Sequence, residues 1–159
     1  MKTKIWILLL AMVTLLSACA RQTGYSDHLS ADALADGLLQ RRDMLRDVDN
    51  MTKNYFPMPD YVLSHSVYYA AESNNADQFG VFRVKEGCAA DCKRLLEEEY
   101  LSPLLEEKGD FYRSYTAKEA EKLEDAEVRV FGNYVIYAIL DVRERNDLFS
   151  AAEHALRNE

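Results

Sequence analysis

The stretch 127–140 constrains the fold of this chain most. Glu127–Phe131 alternates, Gly132-Asn133 interrupts, and Tyr134–Leu140 is an unbroken run of apolar and aromatic residues. A glycine first in a two-residue loop suits a type II′ turn, so the stretch predicts a tight hairpin. Side chains alternate across a strand. Val135, Tyr137 and Ile139 then line one face, and Tyr134, Ile136 and Ala138 the other. Both faces are apolar, which predicts a strand in the centre of a sheet. A second hairpin is predicted upstream. Tyr61–Ala70 is rich in Tyr and Val, Ser73-Asn74-Asn75 turns the chain, and Gln78–Lys85 returns it.

Helices fill the remainder. Ser30 can cap a first helix carrying Leu34 and Leu38, with Leu29 stapling onto Leu34 and Asp32 suiting the dipole. This helix is expected to fade near Arg42 or Met44, followed by irregular chain to Asp60. A longer helix starts near Ala89, with Leu95, Leu96, Tyr100, Leu104 and Leu105 on one stripe. Pro103 lacks a backbone donor and should kink it. Thr116-Ala117-Lys118-Glu119 matches a capping box for a short helix to about Leu123. Asn146 can cap a last helix bearing Leu148, Phe149, Ala152 and Leu156. The order helix, hairpin, helices, hairpin, helix implies an α+β two-layer domain. The expected sheet is four-stranded and mainly antiparallel, made of two hairpins, with the helices packed on one face.

The N-terminus reads as an address. Lys2 and Lys4 precede an apolar run from Ile5 to Leu16. As a helix the run rises about 18 Å, too short for a bilayer core of about 30 Å. A positive start, a short apolar run and small residues make a secretory signal. Leu16-Ser17-Ala18-Cys19 resembles the lipobox of bacterial lipoproteins. That resemblance implies cleavage between Ala18 and Cys19 and lipidation of Cys19, with membrane attachment through the acyl chains; two chains suffice for stable anchoring. The expected division is a signal over 1–18, a lipidated tether over 19–28, and one domain over 29–159. Residues 1–18 hold two of the 19 Lys and Arg and none of the 27 Asp and Glu. The remaining chain therefore carries 17 cations against 27 carboxylates, a net charge of about −10. Such a domain is repelled by anionic lipid surfaces and by nucleic acid, so no nucleic-acid partner is expected. Glu97-Glu98-Glu99 reads as a solvated helix face.

Candidate chemistry is sparse. Cys88-Ala89-Ala90-Asp91-Cys92 leaves three readings open: a disulfide, two unpaired thiols, or a redox pair. Residues at i,i+4 on a helix have Cβ atoms about 5–6 Å apart, whereas a disulfide wants about 3.5–4.5 Å. Bonding would therefore require distortion near the first turn. The spacing also departs from Cys-x-x-Cys. His28, His65 and His154 have no ligand spacing, so no metal site is expected. Phosphate-cradling glycine loops and hydrolase or Ser-x-x-Lys motifs are absent, so neither a catalytic residue nor a cofactor is expected. Tyrosine is abundant. Tyr61, Tyr69 and Tyr134 could form an aromatic face for a sugar or peptide, although aromatics also favour strands and fill cores. The leading expectation is a membrane-anchored, extracytoplasmic, non-enzymatic binding or accessory module with an unknown protein or small-molecule partner. A thiol-redox lipoprotein and a small-ligand binder are the alternatives.

The phrases Ala76-Asp77-Gln78-Phe79-Gly80-Val81-Phe82-Arg83-Val84-Lys85, Glu119-Ala120-Glu121-Lys122-Leu123 and Gly132-Asn133-Tyr134-Val135-Ile136 resemble a family of bacterial lipoproteins known as a domain of unknown function, DUF4358. The resemblance spans roughly residues 30–158. It implies a surface lipoprotein of Gram-positive bacteria, anchored in the outer leaflet of the cell membrane. It implies no activity, and the matching phrases are of a kind that carries fold. Cys88, Cys92 and Pro103 lie outside the family pattern.

Overall fold

The computed structural model describes residues 24–39, 43–47 and 58–157. The segment 1–18 expected as a signal, with Ala18, and the expected lipidation residue Cys19 lie outside the described residues. In chain order the elements are α1 (Ala31–Leu38), β1 (Met44–Arg46), β2 (Val62–Ala70), β3 (Gln78–Val84), α2 (Ala89–Leu95), a π-helical segment (Leu96–Leu101), α3 (Ser102–Tyr115), α4 (Ala117–Glu124), β4 (Glu127–Phe131), β5 (Tyr134–Ile139) and α5 (Val142–Arg157).

Both predicted hairpins form. Gly132, first in its loop, has φ +60°, a conformation glycine adopts without a Cβ penalty. The sheet nevertheless has five strands, not four, in the order β1-β2-β3-β5-β4, with every neighbour antiparallel. The extra strand is Met44–Arg46, where irregular chain was expected. It pairs Met44 with Ala70 and Arg46 with Tyr68. Three residues are too few to show an alternating pattern in sequence.

The helices cover both faces of the sheet, which corrects the expected two-layer arrangement. One core layer joins Leu34 and Leu38 of α1 and Phe149 and Leu156 of α5 to Phe79, Val81, Tyr134 and Ile136. The other joins Cys92, Leu96, Tyr100, Leu104 and Leu123 to Phe82, Val135, Tyr137 and Ile139. The two apolar faces of β5 require this, since a single layer would leave one in water. Gly80 serves the second layer. A Cβ there would lie 2.3 Å from Cε1 of Tyr137, whose ring crosses the strand at that point.

Local signals are met apart from two helix ends and the Glu119 half of the capping box. Ser30 Oγ accepts from Ala33 N at 3.1 Å and Thr116 Oγ1 from Glu119 N at 3.3 Å. The Glu97–Glu99 run is exposed. The break foreseen at Pro103 appears just upstream as the π-helical segment, where Ser102 N donates to Glu97 O, five residues back. Such a turn rearranges the ladder next to the missing proline donor. First exception: α1 ends at Leu38, short of Arg42. Second: α5 starts at Val142, and Asp141 serves where Asn146 was expected, its Oδ1 accepting from Arg143 N at 3.1 Å.

The chain entering α1 is docked onto the fold. Tyr25 packs edge-on against Phe131, with centroids 5.8 Å apart, and lies under the Arg157 guanidinium. Ser26 N donates to Leu156 O at 2.8 Å, and Arg83 donates to Asp27 through Nε and Nη2, both at 2.9 Å. Tyr134 Oη donates to Leu29 O at 2.7 Å. The segment expected as tether, 19–28, is thus part of the domain from Tyr25 onward.

Candidate functional site

The β2–β3 turn, the start of β3 and the end of β5 share one end of the sheet. A cleft of about 450 Å³ opens there, between that turn and α3. Tyr69, Tyr100, Tyr112 and Leu104 are among its lining, together with Gln78 and Lys108. Strand β2 supplies Tyr69, β3 supplies Gln78, and the π-helical segment supplies Tyr100. Gln78 Nε2 donates to Tyr100 Oη at 2.6 Å within the buried floor. The volume falls in the range of small-molecule sites, about 300–1,000 Å³. The rings of Tyr69 and Tyr112, both partly exposed, can stack, and their hydroxyls can hydrogen-bond.

A buried charge network holds the turn that forms one wall. Lys122 on α4 donates to Asp77 Oδ1 at 2.7 Å, to Glu119 Oε2 at 3.0 Å and to Asn75 Oδ1 at 3.4 Å. The Asp77 side chain is 1 % exposed and that of Lys122 9 %. Burial pushes the Lys122 pKa down, but hydrogen bonds to Asp77 and Glu119 outweigh it, and the pKa is raised. Glu119 Oε2 also accepts from Ala76 N at 2.8 Å. The Glu119 carboxylate, foreseen as a returning cap for α4, instead ties the hairpin to the helix, while Thr116 N bonds Tyr112 O. A smaller polar hollow adjoins the network, and Lys118 pairs there with Asp141 at 3.1 Å.

The three tyrosines expected on one face are separated. Tyr134 is fully buried under α1 and α5. Tyr61 packs, half-buried, against the opposite layer, where burial pushes its pKa up. Only Tyr69 of the three lines the cleft, which also takes Tyr100 and Tyr112 from the helical side. No sequence signal linked those residues, since they converge only in the folded chain.

Cys88 and Cys92 are free thiols. Cys88 stands at the N-cap of α2, and Cys92 is fully buried. Burial pushes the Cys92 thiol up to about 12. A nucleophilic thiolate needs the opposite shift. His28 and His154 are exposed, and His65 stacks on Phe82 at 5.7 Å. Among the described residues no group of three or more His, Cys, Asp or Glu could hold a metal ion, and no helix is long and apolar enough to cross a membrane.

The model of a domain of unknown function, DUF4358, matches residues 35–140, about two thirds of the chain. The chain belongs to the DUF4358 family. The match is narrower than residues 30–158: it begins inside α1 and stops before α5, although α5 completes one core layer of this DUF4358 protein. No curated protein and no solved structure matches the chain. Two of the phrases that carried the resemblance meet in the Lys122 network, Asp77 from one and Glu119 and Lys122 from another. The third, at Gly132–Ile136, opens β5 beside β3. The phrases therefore bear on how the fold is held.

Proposed function

We propose that this DUF4358 protein is a lipid-anchored, extracytoplasmic lipoprotein that works as a binding or accessory module, with the cleft between the β2–β3 turn and α3 as its binding site. The observation that carries the reading is Leu16-Ser17-Ala18-Cys19 at the end of a short apolar run behind two lysines. That arrangement suits cleavage before Cys19 and acylation of its thiol. The cleft supports the binding role through the partly exposed Tyr69 and Tyr112, which offer rings and hydroxyls above a floor made by the buried Gln78–Tyr100 pair.

The test is mass spectrometry of the mature N-terminal peptide together with membrane fractionation. A peptide beginning at Cys19 with diacylglyceryl mass, and a membrane-bound protein that becomes soluble on Cys19→Ser, are the expected results. A soluble wild-type protein with an unmodified Cys19 refutes the anchor. Photo-crosslinking from position 112 in the lipidated protein then tests the cleft, with adducts that a bulky Leu104→Trp substitution should abolish.

A further inference from the structure

We infer that β4 is a dimer edge: its outer side pairs antiparallel with β4 of a second copy of this chain, joining the two five-stranded sheets into one. The inference goes beyond the binding role proposed above and does not depend on the lipid anchor.

The backbone sets which residues are free to pair. Val84 N donates to Asn133 O at 2.9 Å, so residue 133 directs its backbone at β3. Backbone direction alternates along an antiparallel strand. Val135, Tyr137 and Ile139 therefore bond towards β3, and Tyr134, Ile136 and Ala138 towards β4. Their partners on β4 are Phe131, Arg129 and Glu127. Val128 and Val130 are left with N–H and C=O groups pointing away from β5. Strand β4 ends the sheet, and among the described residues no backbone group outside the β4–β5 pair bonds to Val128 or Val130. Val130 is 39 % exposed, so the edge is open. The opposite edge, β1, has three residues, and so short an edge resists pairing.

Side chains choose the occupant. Charges on an edge usually block pairing with another strand. Here Glu127 and Arg129 stand two residues apart on one face, with Val128 between them, and their sequence is complementary to itself. A second β4, antiparallel and centred on Val128, sets Glu127 opposite Arg129 of the copy and Arg129 opposite Glu127 of the copy. Directly opposed charges of unlike sign stabilise a strand pair. In this register Val128 exchanges two backbone hydrogen bonds with Val128 of the copy, and Val130 N–H faces the Ala126 carbonyl of the copy. Centring on Arg129 would oppose two guanidinium groups, so charge also selects the register. Such a two-fold contact closes on itself and makes a dimer. Arg129 already donates to Glu127 at 2.6 and 3.1 Å and lies over the Phe149 ring at 4.4 Å. Both side chains are thus held before pairing, which lowers the ordering cost. They also stay accessible, Arg129 at 40 % and Glu127 at 38 % exposure.

The test is sedimentation velocity of the full chain in mild detergent over a concentration series, with a thermal melt of every variant as the folding control. The parent should pass from monomer to dimer as concentration rises. Val130→Pro removes an outward donor that β5 does not use, a change an edge strand accepts; it should melt near the parent and stay monomeric. Glu127→Arg and Arg129→Glu should each stay monomeric alone, because each opposes like charges in a dimer with itself. Mixed in equal amounts, the two variants regain both unlike pairs and should form a heterodimer. A parent that is monomeric at every concentration overturns the proposal and leaves the edge to an extended segment of another protein. A dimer that survives Val130→Pro, or folded charge variants that stay monomeric when mixed, overturns β4 pairing. Should a charge variant fail to fold, Val130→Pro decides.

Discussion

Replacing Lys122 by Met tests what holds the wall of the cleft. Met keeps an unbranched stem of similar length and removes only the ammonium and its hydrogen bonds to Asp77, Glu119 and Asn75. It leaves the Asp77 carboxylate, 1 % exposed, facing Glu119 without its cation. Removing one partner of a buried pair costs about 3–5 kcal/mol, because the remaining charge is uncompensated. That is about a fifth or more of the total stability of a typical domain, about 5–15 kcal/mol. Asp77→Asn in the same background removes the orphaned charge and should recover about half of the loss. The assay is urea unfolding of the four proteins of the cycle, followed by circular dichroism, with m compared throughout. Hydrogen exchange at Ala76 N–H, which donates to Glu119, reads the local effect. A loss below about 1 kcal/mol for Lys122→Met, or a cycle additive within about 0.5 kcal/mol, would falsify the reasoning.

Other outcomes follow from the same structure. Gly80→Ala places a Cβ 2.3 Å from a fully buried ring and should cost about 2–3 kcal/mol; a thermal melt unchanged within error would show that Tyr137 can move aside. Alkaline stability should fall first through Cys92. Its folded pKa of about 12 lies above the ordinary 9.0, so its contribution is complete below pH 9 and is lost as pH rises towards 12. The loss is at most about 1.4 kcal/mol per pH unit for one group, and Cys92→Ala should flatten the slope of unfolding free energy between pH 9 and 10. An identical slope in that variant would assign the loss elsewhere. Above about pH 10, Lys122 and the buried Tyr137, whose pKa values are also raised, add to the decline in both proteins. Tyr25→Ala removes the edge-on contact with Phe131 and should cost about 1 kcal/mol, with faster proteolysis near residue 25; protection equal to the parent would mean that the segment is held without its ring.

Sequence reading succeeded where the signal sits within a few residues of its consequence. The Gly132 turn, the alternation of β5, the Ser30 and Thr116 caps and the solvated Glu97–Glu99 face are each set by neighbours within one or two turns. It failed where length was short or partners were distant. β1 is too short to show a period, and Asp141 replaced Asn146 because the entry of α5 depends on how β5 ends. Glu119 looked like a cap because the capping pattern is local, yet its carboxylate serves a hairpin more than 40 residues away. Strand membership places each tyrosine on a strand but says nothing of which layer covers it.

By itself the sequence determined two hairpins and four of the helical stretches, a central strand with two apolar faces, and the Leu16–Cys19 signature for which an anchor is proposed. These depend on periodicity and on residue types fixed at short range. The tertiary structure alone decided that helices cover both faces, that Lys122 meets Asp77 across 45 positions, that Tyr25 meets Glu153 across 128, and that a cleft opens between the β2–β3 turn and α3. The physical reason is that burial and charge pairing reward proximity in space. Which distant segments become neighbours is settled by closing one core around β5, not by any local pattern.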